Sequence, residues 1–369
     1  MAFEHAYSLT DRLLHRLAFA TTRSQMELGD LEDRLFAGQT KNITASRPVF
    51  ITGLPRAGTT LLLELCVAVG GFASHTYRDM PFVLLPLLWN GLTRRFHTSA
   101  TRIERAHGDG MEVDVDSPEA FEEMVWKTAW PAHYPGDRIV PWRKFAGSDA
   151  TFRAAFHAHM CKIIAVRRQN STAAARYLSK NNANIARIDW LLGAFPDASI
   201  VLPIRDPLQH ALSLHRQHVN FTAIHRRDAF ARAYMAGIGH FDFGDNLRPI
   251  DFGGWLATAR YRDPTDLGFW LEYWLAAYSH VLTHRDERIH FLLYDQLCAE
   301  PAAGLARLAE FLTLDDASAL VAQQTEIQPL SHRDVDTGAL DADLVARAQE
   351  VFARCQTIAD GTARSPSAQ

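Results

Sequence analysis

Leucines recur at helical spacing near the start of the chain, at Leu13, Leu14 and Leu17 and again at Leu28, Leu31 and Leu35. The pattern predicts an amphipathic helical extension over residues 1–45, packed on the domain that follows. The period then changes. Arg47 to Thr52 is a short β-rich run, Gly53 to Gly58 a Gly/Pro loop, and Thr59 to Val69 a helical segment. The same alternation returns at Arg176–Ser179, a strand, with a loop over Lys180–Asn182 and a helix over Ala183–Phe195. It returns again at the buried strand Ser199–Ile204, followed by Arg205-Asp206-Pro207 and a helix from Leu208 to about Val219. Pro207 suits a first helical position and Asp206 the cap before it. A last strand, Ile289–Tyr294, precedes a helix opened by Pro301. Strands alternating with helices predict an α/β fold: a central parallel sheet flanked by helices over residues 46–330, with ligand sites at the carboxyl edge of the sheet.

Two stretches depart from this rhythm. Residues 220–285 are rich in aromatics and glycine and read as an insertion on the acceptor side. Within them Trp270, Tyr273 and Trp274 have the spacing of a core-facing helix, and Phe241 to Trp255 suits a lid. Residues 331–369 read as a C-terminal helix ending in a disordered tail from Asp360 to Gln369.

The bulk numbers narrow the function. The chain has 369 residues, 47% hydrophobic and 22% charged, ordinary for a globular protein whose core needs no metal or disulfide. A net charge of −4 argues against a general nucleic-acid binder but leaves room for a local basic pocket. The cysteines Cys66, Cys161, Cys298 and Cys355 are far apart and read as buried small hydrophobes in a reduced compartment. The N-terminus lacks a basic-then-apolar leader. Phe82–Trp89 is too short to span a bilayer and contains Pro86. A cytoplasmic protein without a transmembrane segment is expected.

Candidate chemistry centres on Gly53-Leu-Pro-Arg-Ala-Gly58-Thr59-Thr60, between a strand and a helix. Backbone N–H groups here can line an anion nest, and the helix amino end favours negative charge. Arg56 adds a permanently charged fork matched to phosphate or sulfate oxygens. The spacing approaches a nucleoside-triphosphate loop, but Thr59 stands where that loop has lysine. Asp206 is better explained as a helix cap than as a magnesium-holding acid. The loop therefore suits phosphate without suiting metal-assisted phosphoryl transfer, and no metal is expected.

FITGLPRAGTTLL resembles the 5′-phosphosulfate-binding loop of the sulfotransferases that use 3′-phosphoadenosine 5′-phosphosulfate (PAPS), in particular their bacterial and tyrosylprotein branches. Arg205-Asp-Pro-Leu-Gln-His-Ala-Leu-Ser213, after its buried strand, resembles the 3′-phosphate motif of that family. Lys180-Asn-Asn resembles the family's Lys-x-Pro segment, with Asn182 in place of the proline, and Tyr294-Asp-Gln-Leu297 matches its late strand–helix unit.

The resemblance implies transfer of a sulfuryl group from PAPS to a hydroxyl on a carbohydrate, glycolipid or other small molecule. It implies cofactor contacts from Pro55, Arg56, Ala57, Gly58, Thr59, Thr60, Arg205 and Ser213. By looser analogy it adds His332 and Arg333, in a C-terminal loop over the nucleotide. Arg56 and Lys180 are expected at the transferring group. The general base is expected at Asp79, with Glu122, Glu123, His75 and His107 as rivals. A nucleotide kinase of related topology and a non-catalytic nucleotide-binding protein are the competing readings.

Overall fold

The computed structural model describes residues 7–93, 103–104, 112–113, 117–168, 175–284 and 286–362, the two short pieces 103–104 and 112–113 as backbone only. Its centre is a five-stranded sheet: β1 (Val49–Ile51), β2 (Phe72–Ala73), β3 (Arg176–Lys180), β4 (Ser199–Ile204) and β5 (Ile289–Leu293). The spatial order is β2-β3-β1-β4-β5, and every pairing is parallel. Ile51 lies opposite Lys180 on one side and Val201 on the other, so the first strand ends beside both of its neighbours.

Strand alternation divides the core in two. Val49, Ile51, Leu178 and Val201 face Leu62, Leu63, Leu305 and Leu308. Phe50, Tyr177, Ile200 and Leu202 face the opposite layer, which contains Trp126, Trp190, Trp270, Trp274 and Tyr278. The residues at 220–285 are therefore built into the domain. The Leu267–Val281 helix packs beside the Pro207–Arg227 helix and presents Trp270, Tyr273 and Trp274 to the core. Phe241, Phe243, Phe252 and Trp255 are buried as well, so the aromatics of the expected lid pack inward while Asp242 between them stays partly open.

Several predicted boundaries differ from the observed ones; Tyr294, for example, opens a short helix where a strand end was expected. The helix after Pro207 runs on to Arg227. The segment after Lys180 begins as a tight 3-10 stretch, Asn182–Ala186, before the Ile188–Ala194 helix. The C-terminal helix spans Ala342–Thr362, so Asp360 is helical where a tail was expected, and residues 363–369 lie outside the described residues. No described helix is long and apolar enough to cross a membrane. All four cysteines are buried and free.

The N-terminal helices Leu9–Ala20 and Thr22–Leu35 dock by the face opposite their leucines. Leu9, Leu13, Leu17, Leu28, Leu31 and Leu35 are 45–82% exposed, whereas His15, Ala18, Gln25 and Glu32 are buried. Polar anchors decide this. Glu32 takes Lys162 Nζ at 3.0 Å and the Leu88 N–H at 2.8 Å, and Gln25 donates to Ala18 O at 2.7 Å. A buried carboxylate left without its ammonium partner is far costlier than an exposed leucine.

Burial holds several histidines neutral. His210 is pushed down to about 3, and His218, His280 and His290 to about 4. The unfolded chain takes up protons near 6.5 that the folded chain refuses, so stability is complete above that pH and is lost as pH falls towards the folded values. For His210 alone, going from pH 7 to 5 costs about 2 kcal/mol. Urea unfolding at the two pH values is expected to show a net loss, with Glu32 and Asp295, whose carboxyls burial pushes up, offsetting part of it, and equal midpoints would refute it.

Candidate functional site

The loop after β1 has an unusual backbone. Arg56 has φ +71° and Gly58 φ +96°, both left-handed. Arg56 adopts that conformation at a cost of about 1–2 kcal/mol, a strain of the kind stored at functional sites. Gly58 has no alternative residue, because a Cβ there would lie 2.3 Å from the Tyr294 ring. The next residue opens the Thr59–Ala68 helix, whose first N–H groups have no partner within the helix. Pro55, Ala57 and Thr59 are buried, while Arg56, Gly58 and Thr60 are half-buried along the open side.

The second motif is locked to the first. Asp206 caps the Pro207–Arg227 helix by accepting from the N–H groups of Leu208 and Gln209 at 3.0 Å each. One turn on, His210 Nε2 donates to Pro55 O at 2.8 Å, a bond that fixes the neutral tautomer. Arg205 Nη1 donates to Arg56 O at 3.4 Å, and its guanidinium lies 5.8 Å from the Tyr294 ring centre. Arg205 Nε is buried and has no protein hydrogen-bond partner. A buried guanidinium N–H without a partner is expensive, and an anion seated beside the loop would satisfy it. Ser213 lies half-buried two turns along the same helix.

The C-terminal loop comes to the same place. Gln209 Nε2 donates to Arg333 O at 2.8 Å, and the Arg333 N–H returns a bond to Gln209 Oε1 at 3.1 Å. His332 is close enough to act on Asp295, whose carboxylate accepts from the Asp206 N–H at 3.2 Å. The loop is thus tied above the start of the Pro207–Arg227 helix, with the Arg333 side chain exposed.

Lys180 ends β3, buried beside Ile51. Two residues on, Asn182 bridges the loop to Asp242, a residue of the 241–255 stretch expected on the acceptor side. Thr59 Oγ1 donates to Asn182 Oδ1 at 3.3 Å, and Asn182 Nδ2 donates to Asp242 Oδ2 at 3.1 Å. His240 Nε2 lies 3.7 Å from the same oxygen, and the Asp242 side chain is 25% exposed. Sequence reading missed Asp242. Its only signal was an acid among the glycines and aromatics of 239–244, with nothing linking it to Asn182.

The acids expected to include the base are buried among other partners. Asp79 is wholly buried and pairs with Arg167, with His75 Nδ1 at 3.2 Å, the Thr76 N–H at 3.0 Å and Asn90 Nδ2 at 3.1 Å. Burial works to raise its pKa, but Arg167 and His75 together hold its carboxyl well below the usual range. His75 continues to His159, with 3.2 Å between the two Nε2 atoms. Glu122 accepts from Trp126, Tyr177 and Asn184, and Glu123 from Tyr134, Asn181 and Arg187. These are interior networks whose carboxylate oxygens are already taken. His107 lies outside the described residues. Among the described residues no three His, Cys, Asp or Glu side chains gather as a metal site.

The fold is a parallel α/β sheet with a left-handed glycine loop and a half-buried arginine at adjacent strand ends, a setting of the kind that suits an anion. The model of the sulfotransferase family matches residues 48–240, from β1 to the segment bearing His240, and the chain belongs to that family of transferases. A search of curated proteins finds no match. Among solved structures the chain is similar to sulfotransferase STF9 from Mycobacterium avium, at 17% identity over 89% of this chain and 81% of that one, with a TM-score of 0.45. It is also similar to STF1 from Mycobacterium tuberculosis H37Rv, at 15% identity over 89% and 81%, with a TM-score of 0.43. A sulfotransferase from Alicyclobacillus acidocaldarius is 14% identical over 87% and 98%, with a TM-score of 0.37.

Proposed function

We propose that the protein transfers a sulfuryl group from PAPS to an acceptor hydroxyl and releases adenosine 3′,5′-bisphosphate. The observation that carries this reading is the pair of anion positions at adjacent strand ends: the loop from Pro55 to Thr60, and Arg205 with its buried, unpartnered Nε. In this reading the loop holds the 5′-phosphosulfate, and Arg205 and Ser213 hold the 3′-phosphate. The backbone around Arg333, pinned by Gln209, covers the nucleotide.

Transfer is an in-line displacement at sulfur. The acceptor oxygen forms the new O–S bond, and the bond to the bridging oxygen breaks. Arg56, Lys180 and the threonines Thr59 and Thr60 stabilise the charge that grows on the leaving oxygen. We assign the acceptor's proton to Asp242, because Asn182 connects it to Thr59 and its carboxylate is partly open to solvent. Asp79, Glu122 and Glu123 become carboxylates that hold the fold. No divalent metal takes part in this reading.

The direct test is calorimetry with adenosine 3′,5′-bisphosphate and AMP. The 3′-phosphate contact to Arg205 is expected to make the bisphosphate bind on the order of ten- to hundredfold tighter. Equal affinities would remove the assignment. Transfer itself is read with radiolabelled PAPS and an extract of the source organism, followed by identification of the labelled product.

A further inference from the structure

A second cluster of cations surrounds a cavity of about 270 Å³ beside this site. Arg23 comes from the N-terminal Thr22–Leu35 helix, Lys127 from the Glu123–Ala129 helix, and Arg248 from the loop after His240. Phe241 and Tyr134 complete the working wall, and no lining residue is acidic. The Arg248 guanidinium lies 4.4 Å from the Phe241 ring centre, and Lys127 Nζ lies 6.0 Å from it. Arg248 also donates to Tyr134 O at 3.3 Å, and Lys127 to Ala236 O at 2.8 Å, so both heads are held in place.

Three like charges from three segments repel one another. Burial, with Arg248 adding to it, lowers Lys127 to about 8 in spite of Glu123 nearby. Glu123 offsets part of the Lys127 charge, but its oxygens also serve Arg187, Tyr134 and Asn181, and Arg23 and Arg248 add two further cations to the cavity wall. Such a cluster is stable when an anion enters it.

The cavity also adjoins the transfer site by two routes. Tyr134 donates to Glu123 at 2.5 Å, and Glu123 accepts from Asn181 at 2.7 Å, the residue between Lys180 and Asn182. Phe241 immediately precedes Asp242 in the chain.

We propose that this cavity receives an anionic group carried by the acceptor, a carboxylate, sulfate or phosphate. The acceptor is then an acid-bearing molecule, with its hydroxyl at Asp242 and its anion between Arg23, Lys127 and Arg248. The proposal rests on the sulfuryl-transfer reading above and gives the N-terminal helices a part in acceptor selection through Arg23.

The test is calorimetry of the full chain with 1-naphthyl phosphate and its neutral counterpart 1-naphthol, each with and without saturating adenosine 3′,5′-bisphosphate. With the bisphosphate bound, the anion is expected to bind about tenfold or more tighter than the naphthol. Arg248→Gln is expected to weaken the anion about tenfold and the exposed Arg23→Gln about threefold, with naphthol affinity unchanged. Affinity for the anion should fall as pH rises past about 8, where Lys127 loses its proton. Equal binding of anion and naphthol, or anion affinity unchanged in both variants, overturns the proposal. Failure of the transfer reading shows separately, as no binding of the bisphosphate. The variants then decide the cavity in its absence, and Arg23→Gln, on an exposed helix surface, serves where Arg248→Gln fails to fold.

Discussion

An Asp242→Asn enzyme is expected to fold normally, to bind adenosine 3′,5′-bisphosphate with unchanged affinity, and to lose about 10²–10⁴ in kcat. The amide keeps the shape of the carboxylate but cannot take a proton. Asp242 touches Asn182 and His240, neither of which lies at the 3′-phosphate end. Asp79→Asn is expected to behave in the opposite way. It removes the charge opposite Arg167 in the interior, and breaking a buried pair costs about 3–5 kcal/mol. Its defect is therefore stability, read by urea unfolding, while the folded fraction turns over normally. A near-normal kcat for Asp242→Asn together with slow transfer by folded Asp79→Asn would return the base to Asp79.

Arg56→Ala is expected to lower kcat by about 10²–10³ while weakening the adenosine bisphosphate much less. The side chain is assigned to charge that grows on the leaving oxygen, and such an interaction is worth more in the transition state than in the bound product. Arg56→Lys keeps a charge but loses the planar fork, so it should recover only part of the rate. Arg205→Ala supplies the contrast, with weak cofactor binding as its main defect. Turnover at saturating PAPS, set beside calorimetry of the product, separates the two effects. If Arg56→Ala lost binding and rate in equal measure, its role would be anchoring the nucleotide.

Much of the scaffold was legible because it is written locally. The four apolar runs that became β1, β3, β4 and β5 were readable from composition and length, and the helix after Pro207 from its cap, Asp206. The two-residue β2 was too short to give a signal. The glycine loop after β1 was legible for the same reason: its glycines, Arg56 and the following helix lie within a dozen residues. The N-terminal helices were readable, but their docking face was not. Leucine spacing reports an apolar stripe, and nothing local says that Glu32 will meet Lys162 across the fold.

The sequence by itself determined a parallel α/β sheet and the glycine loop that follows its first strand, since both depend on neighbours along the chain. Tertiary structure decided that Asp79, Glu122 and Glu123 are buried while Asp242 is partly open beside Asn182. Asp79, Glu122 and Glu123 look as suitable as any acid in the sequence, and each is consumed by partners brought from other segments: Arg167, Tyr177 and Arg187. Asp242 carries no local mark, and the Asn182 it meets is 60 residues away in sequence, with the Pro207–Arg227 helix lying between them along the chain. Hydrogen bonds between distant segments have no periodicity to betray them. The availability of a side chain for chemistry is a property of everything packed around it, and one sequence does not state that packing.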